Sequence, residues 1–296
     1  MPALHRVALL GNPAAGRGRG ARLGRAAHAR LSAAGVEVVS VEGADAVESL
    51  DLARAAVDGG VDALVAVGGD GTVNLALRAL EATPTPLGLV PAGSGNDGAR
   101  SLGVPVGEVD AAVDRVLAGL AGGARRTVDL AACGGRRFLT VLAAGFDAVV
   151  TERAASMTWP RGEARYSLAV LAELRTLAPI SYALDLDGDV RRLDATLVAV
   201  GNGPSFGGGL RITHGARLDD GLLDVVVVKP IGRVDLVWTY PRLRTGTHVR
   251  HRQYERHRVR RVTVAAPGVV GHADGERFGA LPLTIEVRPR ALTVLG

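Results

Sequence analysis

The 296-residue chain has one cysteine, Cys133, and one lysine, Lys229. A single cysteine excludes an intrachain disulfide and fits a reducing compartment. Arginine therefore supplies nearly all the positive charge, which reads as a trait of a GC-rich genome and not of a function. Aromatic residues are 3% of the chain. In the arginine-rich run 242–261 only Tyr254 is aromatic, so the stacking platform of a single-strand nucleic-acid binder is missing. No stretch approaches the roughly 18 apolar residues of a spanning helix. The first apolar run stops at Gly11-Asn12-Pro13, too short for a secretion signal. His5, His28 and His214 lack metal-ligand spacing. The expectation is a cytoplasmic protein that meets any lipid peripherally, on the inner face of the membrane.

What is present is a core. Hydrophobic residues reach 47%, and the length predicts two domains. The net charge of +5 suits a polyanion or an anionic membrane surface without requiring either. Strand signals at 6–10, 36–41, 63–67 and 86–90 alternate with helix signals at 21–34, 46–57, 73–80 and 110–120. That alternation predicts a parallel sheet with helices on both faces. Gly122-Gly123 marks a linker. Beyond it, strand signals at 127–132, 137–143, 181–186, 195–200, 222–228, 259–264 and 283–287 predict a mostly antiparallel second domain. Asp187-Gly188 signals a hairpin, and helices are expected at 161–177 and 234–243.

The segment Gly68-Gly69-Asp70-Gly71-Thr72-Val73-Asn74 runs from an apolar strand into a helix. Its glycines let the main chain approach a ligand closely, and the helix N-terminus favours phosphate. Asp70 puts an anion where an anion would bind, so a cation or chemistry must intervene. The segment points to a Mg-nucleotide. The earlier turn after Gly11 lacks the lysine and hydroxyl ending of a P-loop; its Arg17 and Arg19 could reach phosphate, or it is an ordinary strand-to-helix turn. Gly93-Ser94-Gly95-Asn96-Asp97 follows the fourth strand as a second glycine-rich loop, facing phosphate or substrate, with a helix cap at Asn96 or Asp97 compatible with either. Asp219, Asp220 and Asp224 cluster before a strand and suit either a hard cation or a solvated turn. Glu276 is a candidate general base in what could equally be a surface turn.

The ordered set resembles the diacylglycerol kinase catalytic-domain family. It comprises Gly11-Asn12-Pro13, the Gly68–Asn74 motif, Pro91-x-Gly93-Ser94-x-Asn96-Asp97, Gly145-Phe146-Asp147, Leu218-Asp219-Asp220-Gly221-Leu222-Leu223-Asp224 and Asp274-Gly275-Glu276. That family holds the bacterial diacylglycerol kinases, the YegS-like lipid kinases and the sphingosine kinases. The resemblance implies an N-terminal α/β domain like that of NAD kinase and phosphofructokinase over 1–126 and a C-terminal β-sandwich over 127–288. It also implies a last strand, about 289–296, that returns to the first domain. It implies ATP and Mg²⁺ as cofactors and a lipid hydroxyl as acceptor, diacylglycerol first, with no specific nucleic acid and with an oligomer allowed. Carried over position by position, Asn12, Ser40, Gly68, Gly69, Asp70, Gly71, Thr72, Val73, Asn74 and Ser94 would contact ATP. Asp70 and Asp129 would work with Mg²⁺, and Glu276 would take the proton, a role that related sphingosine kinases give to the residue matching Asp70. Asn96, Asp97 and Asp147 would face substrate, and Asp220 with the main-chain carbonyls of Arg217 and Leu222 would hold a structural Mg²⁺. Leu75 departs from the family, which usually has Glu there. The alternatives are an NAD kinase, or a non-catalytic relative that binds membrane or polyanion.

Overall fold

The computed structural model describes residues 5–12, 19–146 and 177–296, together with Val150, Arg153, Ser156, Met157, Trp159, Leu168, Ala169, Ala172 and Glu173. It falls into two compact units, Met1–Asp129 with Arg290–Gly296, and Leu130–Pro289.

The first unit alternates strand and helix. Its elements are β1 (Arg6–Gly11), α1 (Arg19–Ala33), β2 (Glu37–Val41), α2 (Ala46–Asp58), β3 (Ala63–Gly68), α3 (Asp70–Ala79), β4 (Leu87–Pro91), α4 (Asp97–Ser101) and α5 (Val109–Leu120). The strands run parallel in the order β2-β1-β3-β4. β3 and β4 are buried along their whole length. That is why they read as continuous apolar runs and not as alternating ones. α2 starts where Asp45 accepts from the N–H groups of Val47 and Glu48, while Glu48 reaches back to Ala44 N at 2.6 Å. This reciprocal cap satisfies donors that a helix start otherwise leaves bare. Parallel strands bring the carboxyl ends of β1, β3 and β4, with Gly69 and Gly93 just past the last two, to one edge.

The strand β5 (Arg125–Cys133) leads into the second unit. There follow β6 (Arg136–Phe138), β7 (Val141–Gly145), β8 (Ile180–Leu186), β9 (Asp189–Ala195), β10 (Leu197–Gly201), β11 (Leu223–Val228), α6 (Arg233–Thr239), α7 (Arg242–Thr245), β12 (Tyr254–Val259), β13 (Arg261–Ala265), β14 (Val270–Ala273), β15 (Glu276–Ala280) and β16 (Leu283–Leu295). One antiparallel layer has the order β12-β11-β10-β7-β14-β15; the other runs from β16 through β13 and β8 to β9. Leu142, Val198, Val225 and Val227 share one core with Leu184, Val264 and Ile285. The alternate residues Val141, Ala199 and Val226 belong to a second cluster with Ile212, Leu243 and Tyr254. β11 is thus covered on both faces, and its valine run follows from that. Toward its end β16 pairs Val294 in parallel with Leu87 of β4.

The mixed architecture is the expected α/β fold with an antiparallel second half. Asp187 and Gly188 form the expected tight turn, with φ of 52° and 97° and Leu186 opposite Asp189. The helix expected over 234–243 is two short helices, because Pro241 between them has no N–H to continue the ladder. The strand expected at 259–264 is the junction of β12 and β13. The helix expected at 161–177 lies mostly outside the described residues.

Candidate active site

β3 ends at Gly68 and α3 begins at Asp70, so Gly69 alone makes the turn. Its carbonyl accepts from Thr72 N at 2.9 Å and Val73 N at 3.1 Å. β4 ends at Pro91, opposite Gly68, and Ala92 N donates to Gly68 O at 2.8 Å. The two glycine turns touch: a Cβ on Gly69 would stand 3.0 Å from Gly93 Cα. A close approach of two backbones, and not backbone dihedrals, demands glycine at both. Gly98 N donates to Asp70 Oδ1 at 2.9 Å, which ties the start of α4 to the start of α3. Asn96 holds the second turn from within. It adopts a left-handed φ of 55°, which asparagine tolerates. Its amide accepts from Gly93 N and donates to Gly93 O, each at 2.9 Å.

Gly71 obeys a different logic. It is exposed, has no positive φ, and a Cβ there would meet nothing within 4 Å. Glycine inside a helix costs about 0.5–1 kcal/mol relative to alanine, and no neighbour in the protein requires it. In the same turn Thr72 Oγ1 and Asn74 Oδ1 are buried without a hydrogen-bond partner. Such orphans cost about 1–3 kcal/mol each. Open room, a helix N-terminus and unspent polar atoms are what a polyphosphate with its cation needs, so these residues fit ATP and Mg²⁺.

Asn12, Ser40, Ser94 and Asp97 lie at or just past the carboxyl ends of the strands. Asn12 N donates to Val67 O at 3.4 Å, at the end of β1. Ser40 lies on β2 opposite Leu9 and is exposed, as is Ser94; Asp97 is buried. Asp129 is buried too, and its Oδ1 accepts from Arg290 N at 2.8 Å. Arg290 has a φ of 53°, so this carboxylate fixes an uncommon bend in β16.

In the second unit the acidic groups arrive with counterions. Asp220 accepts from Leu222 N at 3.1 Å through one oxygen and pairs with Arg258 through the other. Asp224 is 1% exposed and pairs with Arg256. Burial pushes its carboxyl up, while Arg256 and Arg258 pull it back down. Arg217 pairs with Asp219 at 3.1 Å. The run 242–261 is therefore more than a solvated basic face: β12 turns Arg256 and Arg258 toward the acidic turn. A cation at Arg217, Asp220 and Leu222 would compete with a guanidinium. Among the described residues no group of three or more His, Cys, Asp or Glu is arranged to hold a metal ion.

Asp274 and Gly275 form a two-residue turn with φ of 51° and 81°, which places Glu276 at the head of β15 opposite Ala273. Asp274 accepts from Leu139 N at 2.9 Å, Thr140 N at 3.1 Å and the Thr140 hydroxyl. Glu276 Oε2 bonds Arg136 Nη2 at 2.7 Å. Arg136 also donates to Arg277 O at 2.8 Å and lies 4.0 Å over the Phe278 ring. Sequence reasoning missed Arg136; its partner is 140 positions away, and no local pattern signals it. Gly145 has φ 124° and a Cβ on it would meet the Tyr182 hydroxyl, so this glycine serves packing. Asp147 lies outside the described residues. Cys133 is buried, and burial raises its thiol above the ordinary range, which makes it a core residue and not a nucleophile.

A glycine-rich edge on a parallel sheet, followed by an antiparallel second unit, defines the α/β fold class that diacylglycerol kinases and NAD kinases share. Residues 6–133 match the diacylglycerol kinase catalytic domain, and residues 140–296 match the YegS C-terminal NAD kinase beta sandwich-like domain. A diacylglycerol kinase of Mycobacterium tuberculosis is 40% identical over 98% of this chain and 94% of its own. A solved structure of a putative diacylglycerol kinase from Bacillus anthracis shares the fold at a TM-score of 0.78, with 23% identity over 100% and 98% of the two chains. An NAD kinase from Archaeoglobus fulgidus, solved with ATP, shares it more distantly at 0.54, with 15% identity over 99% and 93%. The chain belongs to the diacylglycerol kinase family and is a kinase of the lipid kinase class. Among the described residues no helix is long and apolar enough to cross a membrane.

Proposed function

We propose that the protein transfers the γ-phosphoryl group of ATP to a lipid hydroxyl, with diacylglycerol as the acceptor. The observation that carries this reading is the open turn at Gly71, beside Asp70 and the unpartnered Thr72 and Asn74. The names of the similar proteins favour diacylglycerol as the lipid. The likeness to an NAD kinase is one of fold alone.

Phosphoryl transfer has a loose transition state, so placement and charge neutralisation do most of the work. The main-chain N–H groups of Gly69, Asp70 and Gly71 hold the polyphosphate, with Asn12, Ser40 and Ser94 at the rim. Asn96 acts by keeping the second turn folded. Asp70 would help to hold Mg²⁺ beside the polyphosphate, with Asp129 as its partner in that role. Bound Mg²⁺ would neutralise the phosphoryl oxygens. Glu276 accepts the hydroxyl proton, and Arg136 keeps its carboxylate in one position. Asp97 and Asp147 serve the headgroup. At the acidic turn, Mg²⁺ bound by Arg217, Asp220 and Leu222 would have to displace Arg258, so its effect on stability is expected to be slight. Acyl chains leave a bilayer at a cost of about 0.8 kcal/mol per CH₂, so the reaction takes place at a membrane surface.

The test is incubation with radiolabelled ATP and, separately, short-chain diacylglycerol, a total lipid extract or NAD. Label in a lipid product is expected. Label in NADP alone, or no transfer to any acceptor, overturns the proposal.

A further inference from the structure

We propose that helix α6 and the turn after it form the surface on which this protein docks to an anionic lipid leaflet. α6 has no fully buried residue. Val234, Val237 and Trp238 fall at i, i+3 and i+4 and so share one stripe of the helix. They are 72%, 40% and 72% exposed. Leu236 and Tyr240 of the same segment line a cavity whose other walls include Phe146, Leu197 and Ile231. The helix is therefore apolar on two sides. One side closes an apolar cavity and the other stands in water, where a soluble protein normally places charge.

Charge around the stripe identifies the occupant. Lys229 pairs with Glu255 at 2.8 Å, but residues 233–250 still contain Arg233, Arg242, Arg244 and Arg250 against a single acid, Asp235. The Asp235 carboxylate lies 3.4 Å from His251 Nε2, and all four arginines are exposed. A tryptophan with valines at its side, bordered by guanidinium groups, matches a leaflet of anionic phospholipid. The indole sits at the level of the headgroups and the arginines meet the phosphates. The cavity behind α6 gives an acyl chain an apolar neighbour at the docking point. The purpose of the surface rests on the lipid kinase reading; its geometry does not.

The test uses full-length protein with Trp159→Phe, which leaves Trp238 as the sole tryptophan, and vesicles of phosphatidylglycerol in phosphatidylcholine. Trp238 emission is expected to shift to the blue on binding and to be quenched by brominated acyl chains. V234E/W238E is expected to lose about tenfold or more in vesicle co-sedimentation. R242Q and R244Q should each weaken binding about fivefold on phosphatidylglycerol, as expected for one lost surface charge, and leave binding to pure phosphatidylcholine unchanged. Trp238 that stays open to aqueous iodide on vesicles, or V234E/W238E that binds like the parent, overturns the proposal. So does a dimer that V234E/W238E splits in sedimentation velocity, because a second copy would then own the surface. V234E/W238E should still phosphorylate short-chain diacylglycerol in solution at the parent rate. Vesicle docking through Trp238 without phosphorylation of any lipid supports this surface and sinks the kinase reading. Normal lipid phosphorylation with Trp238 away from the bilayer does the reverse.

Discussion

The two units differ in how the residues of their sequence motifs are partnered. At the sheet edge of the first, Gly71 faces open space while Thr72 Oγ1 and Asn74 Oδ1 have no partner. In the second, the carboxylates that catch the eye in the sequence already have counterions or backbone donors, although Asp224 Oδ2 is buried without a hydrogen bond. Asp220 has Arg258, Asp224 has Arg256, Glu276 has Arg136, and Asp274 has the backbone of Leu139 and Thr140. An acidic cluster becomes a cation site only where its own counterions leave room. A glycine cluster becomes a ligand site where the protein itself does not fill the gap.

The sharpest way to break this contrast is at Asp70 and Glu276. Glu276→Gln should lower kcat by about 10²–10⁴-fold, the range for loss of a general base. Asp70→Asn should lower it by about 10²–10³-fold, as for removal of one electrostatic stabiliser of the transition state. Both variants should unfold near the wild-type midpoint, because Glu276 is 39% exposed and its ion pair with Arg136 is worth about 1 kcal/mol or less. Steady-state kinetics with ATP and diacylglycerol, paired with thermal unfolding, reads both. Full activity in either variant removes that residue from the mechanism.

Next in size is Arg256→Met, which should act on stability and not on ATP binding. It strands a buried Asp224. Breaking a buried pair costs about 3–5 kcal/mol, and the lower end applies because Arg256 is 29% exposed. Urea unfolding measures this. If added Mg²⁺ raised the wild-type midpoint strongly, the acidic turn would be an ion site after all, and the contrast between the units would fail.

Gly71→Ala separates folding from ligand binding in one substitution. The added methyl meets nothing and improves helix propensity, so stability should rise by about 0.5–1 kcal/mol. The same methyl would stand where a phosphate oxygen approaches, and the KM for ATP should rise about tenfold or more, the value of one charge-assisted hydrogen bond. A stabilised variant with unchanged KM would mean that the open space at Gly71 is not the phosphate site.

How much of this was legible in the sequence depends on how local the cause is. β3, its glycine turn and α3 were readable, because an apolar run, a close backbone approach and a helix start all act within a dozen residues. The hairpin at Asp187-Gly188 was readable for the same reason. β9 was not: its sequence Asp189-Val190-Arg191-Arg192-Leu193-Asp194-Ala195 is polar and mostly exposed at a sheet edge, and pairing with β8 alone makes it a strand. β12 hid inside an arginine run whose members have different employments. Arg256 and Arg258 serve Asp224 and Asp220, while the side chains of Arg242, Arg244 and Arg250 are exposed. The partner of Glu276 could not be read, since Arg136 reaches it from 140 positions away in the chain.

The smallest expected effect probes whether the second unit is as internally satisfied as its ion pairs suggest. His248 is 3% exposed, and its Nε2 donates to Ile212 O at 3.2 Å, which leaves Nδ1 buried without a partner. Burial lowers its pKa, the carbonyl of Ile212 opposes that shift, and nearby His214 adds to it. A histidine whose folded pKa lies below its unfolded value of 6.5 takes its proton first in the unfolded chain. Its stabilising contribution is complete above that pH and is lost as pH falls through it. The slope is at most about 1.4 kcal/mol per pH unit for one proton. Asp224, raised by burial, contributes with the opposite sign at lower pH. The quantity to read is therefore the difference between wild type and His248→Gln in urea unfolding from pH 7.5 down to about pH 5. A glutamine can still donate to Ile212 O but cannot titrate, so the loss of stability between those limits should shrink in the variant. Parallel curves would mean that His248 takes up its proton as readily in the folded unit as in the unfolded chain.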